Sequence, residues 1–313
     1  MVKSSLKKKP LVSIIINCYN GEKYLDECIK SVLNQSYKKW EIIFFDNNSK
    51  DKSSLLLKKY KDKRIRYFKT NKNFRLYKAR NLAIKKCKGE LVSFLDVDDW
   101  WSSNKLIKQV KVFSNNQTLD ILYSNLYLYD EKKKNKKIYI SKKLYNGKIT
   151  QDLIDSFKMP ILTTVIKRKV FEKIKFDNRY TIIGDFDLFV RLSLIKNIRA
   201  IQEPLAYYRI HDFNLSKIKL NLEISELENW AKEMTKKNNF RFINFSKFYE
   251  NIQLLKIVNF TLKRQNLLAI KLIFKKPFRV LKLFKFLFFF LKLQKIVKLK
   301  NHYFKLLTFK NYF

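Results

Sequence analysis

Glycine is scarce in this 313-residue chain, with four residues at positions 21, 89, 147 and 184. Neither Gly-x-Gly-x-x-Gly nor Gly-x-x-x-x-Gly-Lys occurs, so the two glycine-rich loops that cradle phosphates on backbone N–H groups are excluded. Any phosphate bound here has to be held by basic side chains and a metal. Cysteine is nearly absent as well. Cys18, Cys28 and Cys87 are odd in number and sit within apolar or helical patterns, which excludes a disulfide framework and a cysteine-based zinc site and fits a reducing compartment. Long apolar runs are missing too. In the Phe- and Leu-rich stretch from Phe278 to Leu293 the longest charge-free piece, Phe286 to Leu291, is six residues, against the roughly 20 that a membrane span needs. The first dozen residues hold no apolar core of export length, so no signal peptide is expected.

Acidic residues are the other shortage, with 27 Asp plus Glu against 68 Lys plus Arg and a formal charge of +41. A charge of that size calls for a polyanionic neighbour such as anionic lipid, nucleic acid or a phosphate-bearing substrate. A general preference for Lys, Asn, Ile and Phe accounts for part of it. The excess is concentrated at the end: no Asp or Glu follows Glu250, while fifteen Lys plus Arg do. With 46% apolar residues the chain can bury a substantial core, as one large domain or two ordinary ones.

The first hundred residues alternate between two periods. Leu11 to Ile16, Trp40 to Phe45, Arg64 to Lys69 and Leu91 to Leu95 have the apolar, β-branched and aromatic character of strands. Between them, Tyr24 to Leu33, Asp51 to Tyr60 and a segment ending near Lys86 carry helical spacing. Strand and helix in strict alternation give an open α/β sheet, in which ligands bind beyond the carboxyl ends of the strands. Those ends hold Tyr19 and Asn20, then Asp46 and Asn47, then Asp96, Asp98 and Asp99.

Asp96-Val97-Asp98-Asp99 crowds three carboxylates behind a buried strand, and a divalent cation is the simplest relief for their repulsion. Oxygen donors with few histidines favour Mg²⁺ or Mn²⁺ over zinc. The competing reading is an N-cap on a helix starting near Trp100. Two more segments carry chemistry. Gly184-Asp185-Phe186-Asp187-Leu188 opens a helix with carboxylates that could accept a proton from a hydroxyl or merely cap it. Tyr207-Tyr208-Arg209-Ile210-His211 holds one of only two histidines.

Taken together these segments resemble family 2 glycosyltransferases. The matching pieces are Val12-Ser13-Ile14-Ile15-Ile16-Asn17-Cys18-Tyr19-Asn20, Ser31-Val32-Leu33-Asn34-Gln35-Ser36-Tyr37, Asp46-Asn47-Asn48-Ser49-Lys50-Asp51, Ala79-Arg80-Asn81, Gly89 through Asp99, Gly184 to Leu188, and Tyr208 to His211 with Ser216. They occur in the family's order and cover about residues 10 to 216. The resemblance implies a GT-A fold, with a Rossmann-like, mostly parallel sheet flanked by helices, and inverting transfer from a nucleotide-diphosphate sugar to a saccharide hydroxyl. It implies Tyr19 near the donor base, Asp46 or Asn47 reading that base, Asp96 on the ribose side and Arg80 near the phosphates, with Arg75 as the alternative. Asp98 would ligate Mn²⁺ or Mg²⁺, with His211 a second ligand or a closing-loop contact, and Asp185 would be the general base. UDP is the leading donor nucleotide, and a saccharide or lipid-linked saccharide the acceptor, in cell-surface polysaccharide or lipid-linked glycan synthesis. The chain departs from the family pattern at Asn47, where a second Asp is common, and at Gly184, where Glu is usual.

The expected organisation is a catalytic domain over 1–220 and a helical, basic, amphipathic region over 221–313. From Phe278 to Leu293, Arg279, Lys282, Lys285 and Lys292 share one side of a helical projection. That pattern suits an interfacial helix on an anionic membrane, placing the enzyme at the inner face of the cell membrane; packing against protein or oligomerisation is the alternative. Charge and interleaved aromatics also admit a nucleic-acid-binding protein, but no recognition motif is present and the acidic strand ends would repel phosphate. No nucleic acid is therefore expected. A catalytically inactive, transferase-like binding protein is a further alternative, against which the retained Asp98, Asp185 and His211 stand.

Overall fold

The computed structural model describes residues 9–212, 214 and 219–274. Their contacts divide into two compact units, one of residues up to 153 with 158–211, the other of 154–157 with the residues from 212 onward.

The first unit is built on one sheet. β1 (Val12–Cys18), β2 (Trp40–Asp46), β3 (Ile65–Lys69) and β4 (Leu91–Phe94) alternate with α1 (Leu25–Leu33), α2 (Ser53–Lys58) and α3 (Leu76–Ile84). They pair in parallel in the order β3-β2-β1-β4. All seven residues of β2 are buried, the pattern of a strand covered on both faces, which explains its apolar run from Ile42 to Phe45. The four expected strands and three helices are thus present, with no stated end shifted by more than two residues. α2 starts later than Asp51 because that carboxylate is used at its threshold, accepting from Ser53 N and Oγ and from Glu22 N.

Beyond β4 the sheet becomes mixed. It continues through β5 (Trp100–Trp101), β6 (Ile121–Asp130), β7 (Asn135–Ile138), β8 (Val165–Lys167) and β9 (Ile198–Ile210). β8 lies antiparallel between β4 and β6, β9 runs parallel to β6, and β5 and β7 pair antiparallel with β9 and β6. Helices α4 (Lys105–Asn115), α5 (Thr150–Asp155), α6 (Val170–Lys173) and α7 (Gly184–Ser193) connect these strands. The β6–β9 register slips on both sides of Asn125. The Asn125 side chain satisfies that irregularity, donating to Ile140 O and accepting from Leu126 N and Ile140 N, and such bulges bend and re-aim a strand. β9 ends at Ile210, and His211 follows it beside the acidic segment that comes after β4.

The described residues of the second unit from 219 onward are mainly helical: α8 (Leu220–Met234), α9 (Ser246–Leu262) and α10 (Asn266–Phe274). Trp230 is fully buried, with Phe240, Phe245 and Phe248 at ring-centroid distances of 6.0, 6.1 and 5.5 Å. α9 and α10 form a hairpin around buried Ile257, Ala269 and Ile273. No helix among the described residues is long and apolar enough to cross a membrane. The segment from Phe278 to Leu293, expected to be an interfacial helix, lies outside the described residues.

Candidate active site

Four strand or helix ends converge at the carboxyl edge of the parallel strands. After β1, Tyr19 is 52% exposed, and Asn20 takes a left-handed φ of 53° that turns the chain into α1. Gly21 is required there: a Cβ would come within 2.8 Å of both Val97 methyl groups. The first turn and the acidic segment are therefore packed directly on each other.

After β2, Asp46 is completely buried. Its Oδ1 accepts from Ser49 N at 2.7 Å and its Oδ2 from Tyr67 Oη at 2.7 Å, so its charge braces the turn from within. Asn47 holds the loop before α3. Both of its amide hydrogens are committed, to Asn73 Oδ1 and Phe74 O, while its Oδ1 accepts from Phe74 N. The acceptor capacity left on Asn47 is one lone pair of Oδ1.

The acidic segment is not a helix cap. Trp100 and Trp101 form strand β5, and the next helix begins at Lys105. Asp99 is buried, with Oδ1 accepting from Arg209 N at 2.8 Å and Oδ2 without a partner. Burial, then the neighbouring Asp98 and Asp96 charges, push its carboxyl well above the usual range. Arg209 Nε also donates to Asp98 O at 2.9 Å, and its guanidinium pairs with Glu27. Asp98 itself stands beside His211, with Oδ2 2.9 Å from Nε2. The Tyr24 ring packs on that imidazole at 5.0 Å.

Arg80 on α3 is the hub of the site. It is 1% exposed, and its guanidinium donates to Asp96 Oδ1 at 2.7 Å and to Asp185 Oδ1 at 2.6 Å. It is therefore engaged by two carboxylates rather than standing open to a phosphate. Arg75, the alternative, is an exposed residue that donates to Arg179 O. Asp185 lies in the first turn of α7, whose N-cap Ile183 makes no side-chain cap bond. Its carboxyl is pushed up to about 6, chiefly by burial, with Arg80 opposing and Asp96 adding to the rise. Tyr77 fixes this helix start, donating from its hydroxyl to Ile182 O at 2.7 Å. Its ring fills the space beside Gly184, where a Cβ would lie 2.4 Å from Cδ2 and Cε2.

The structure thus brings Asp96, Asp185 and Arg80 into one ion-paired group, and Asp98 and His211 into a second. Asp46 and Asn47 lie behind the exposed Tyr19 turn. Arg209, Tyr77, Tyr24 and Glu27 carry parts of the site to which the sequence assigned no role. Alternation along a strand would have placed Arg209 on the same face as His211; nothing comparable pointed to Tyr77, whose contacts are 105 residues away.

A divalent cation fits this donor set. Among the described residues no group of three His, Cys, Asp or Glu forms a protein cage. Hard cations of the Mg²⁺ class are, however, commonly held by one or two carboxylates with substrate phosphates completing the shell. Asp98 and His211 supply two donors, and the unpartnered Asp99 oxygen marks an acidic segment short of positive charge.

The family model for glycosyl transferase family 2 matches residues 13–189, a span that includes every one of these groups except Arg209 and His211. The chain belongs to that family. Among relatives of this family 2 glycosyltransferase, an uncharacterized glycosyltransferase of Methanocaldococcus jannaschii is 34% identical over 67% of this chain and 75% of its own. The UDP-Glc:alpha-D-GlcNAc-diphosphoundecaprenol beta-1,3-glucosyltransferase WfaP of Escherichia coli is 30% identical over 74% of this chain and 90% of its own. In fold, the glycosyltransferase is similar to a mannosyltransferase of Pyrobaculum calidifontis solved with GDP-Man and Mn²⁺. The TM-score is 0.60 at 14% identity, over 85% of this chain and 75% of that one. The mixed α/β sheet with its C-terminal helices is accordingly of the GT-A type.

Proposed function

We propose that this family 2 glycosyltransferase transfers a sugar, with inversion, from a UDP-sugar to a hydroxyl of a saccharide carried on a lipid diphosphate. The observation that carries the reading is Arg80 between Asp96 and Asp185, which ties a carboxylate on the nucleotide side to a carboxylate with the properties of a base. Tyr19 offers an exposed ring to the donor base, and the free lone pair of Asn47 Oδ1 suits a base N–H such as that of uracil. Asp96 takes the ribose side. Asp98 and His211 are the donors for Mn²⁺ or Mg²⁺, which when bound supplies positive charge against the diphosphate leaving group.

Asp185 accepts the proton of the acceptor hydroxyl as its oxygen forms a bond to the anomeric carbon. The bond from that carbon to the diphosphate oxygen breaks, and the electron pair leaves with UDP. A carboxyl at about 6 is a stronger base than an ordinary aspartate and is still ionised at neutral pH. Arg80 keeps it aimed through its hydrogen bond and keeps it charged through its field. The UDP and lipid-linked acceptor assignment is supported by the similar E. coli glucosyltransferase, and the metal by the similar GDP-Man and Mn²⁺ complex. The basic character of the chain beyond Glu250 suits an enzyme at the inner face of an anionic membrane, with a catalytic region of residues 1–220 followed by a basic region of 221–313.

The test is release of UDP from UDP-glucose by the purified chain with Mn²⁺ and a GlcNAc-diphosphate lipid. The expected outcome is a β-linked product, absent with Asp185→Asn. An α-linked product, or transfer that survives Asp185→Asn, would overturn the assignment.

A further inference from the structure

The α9–α10 hairpin leaves apolar side chains in the open. Ala269 and Ile273 face α9 and are fully buried, as is Ile257 across from them. On the other side of α10, Leu267 is 71% exposed, and Leu268 and Ile270 are exposed as well; Leu262, at the end of α9, joins them. Arg264, with a left-handed φ of 60°, makes the turn that brings the two helices together. Every residue from 262 to 268 is exposed, so the tip presents Leu262, Leu267 and Leu268 to solvent together with the polar residues between them.

Along the hairpin beyond Glu250 the charge has one sign. Lys263, Arg264 and Lys271 are exposed at its edge, and no Asp or Glu occurs between Glu250 and the end of the chain. A surface that buries apolar side chains and offers only positive charge is matched by an anionic bilayer, whose interface takes leucine side chains into the acyl boundary and lysine and arginine into the phosphates. A protein partner would need a groove that is at once apolar and acidic-rimmed.

We infer that the tip of this hairpin docks on an anionic membrane: Leu262, Leu267, Leu268 and Ile270 enter the headgroup boundary while Lys263, Arg264 and Lys271 bind lipid phosphates. The inference rests on the reading of a membrane-held acceptor and names the surface that meets the lipid. It makes membrane binding a property of folded helices with defined contact residues, separable from the basic residues farther along the chain.

The test is co-sedimentation of the full chain with vesicles of phosphatidylglycerol and phosphatidylcholine at about 0.15 M salt, where charge is screened beyond about 8 Å. Leu267→Asp with Leu268→Asp is expected to lower partitioning by about ten-fold or more. Joint replacement of Lys263, Arg264 and Lys271 by Gln is expected to lower it on these vesicles and to change nothing on pure phosphatidylcholine. Both sets of side chains are exposed, so far-UV circular dichroism is expected to match the parent. Ile270→Asp gives the same readout from a third position. Wild-type partitioning by folded variants would overturn the inference, as would a change in oligomeric state with vesicle binding unaltered, which would give the face to a second copy. UDP release in solution with a soluble acceptor analogue is read in the same preparations. Loss of vesicle binding with turnover retained, or the reverse, therefore shows which of the two readings fails.

Discussion

Arg80 Nη1 donates to Asp185 Oδ1 at 2.6 Å, across 105 residues of sequence. With its other nitrogen on Asp96, the same guanidinium spans both sides of the site, and its burial leaves it no solvent to fall back on. Lysine can keep the charge but cannot reach two carboxylates with a planar fork. Arg80→Lys is therefore expected to lower kcat about 100-fold or more, and Arg80→Met to cost about 3–5 kcal/mol, because removing one partner strands two carboxylates. UDP-release kinetics and chemical denaturation check the two effects.

The acid limb of activity reports Asp185. A general base works only when ionised, so kcat/KM is expected to fall as pH drops through about 6. Arg80 lowers this carboxyl chiefly through its charge, so in Arg80→Met the limb is expected to move to higher pH. Stability follows the opposite direction from an ordinary ion-paired aspartate. Because the folded carboxyl holds its proton more tightly than its ordinary value of 3.8, stability from this group is present below that value and is lost as pH rises through about 6. Asp185→Asn is expected to reduce kcat by about 10²–10⁴ while UDP affinity is unchanged, as titration calorimetry would show.

Gly184 precedes Asp185, and the Tyr77 ring occupies the space that a side chain there would need. Gly184→Ala is expected to destabilise by about 1–3 kcal/mol, the usual cost of overpacking. Tyr77→Leu in the same chain is expected to return part of it. Thermal melts of the single and double variants decide this; a fully additive pair would mean that the two positions do not press on each other.

Tyr19 separates binding from folding. It is half exposed, so Tyr19→Ala is expected to leave stability within about 0.5 kcal/mol. Loss of stacking on the donor base is expected to weaken UDP binding by about 1–3 kcal/mol. Equal affinity in the variant would remove Tyr19 from the donor site.

The parallel half of the fold was legible because periodicity is local: β2 is buried on both faces, and five of its seven residues are correspondingly apolar. The strands after Trp100 were not read. β5 is two residues long and looks like a helix start, and β9 contains Pro204 and a register slip against β6. Site residues followed the same division. Asp96, Asp98 and Asp185 could be picked out as acids at element ends, whereas the pairing of Arg80 with two of them depends on contacts over 16 and 105 residues. Composition could flag the basic end of the chain, but only packing shows which leucines of α10 face outward.

The donor site with its cation is tested most directly by the thermal stability of the full chain against UDP, GDP, CDP and dTDP, each with and without Mn²⁺, beside Asp98→Ala. The expected result is a rise with UDP that requires Mn²⁺ and vanishes in Asp98→Ala, with the other nucleotides giving less. A folded chain that responds to none of the four, or whose metal-dependent rise survives Asp98→Ala, would contradict the assignment of Asp98 and of the nucleotide site around it.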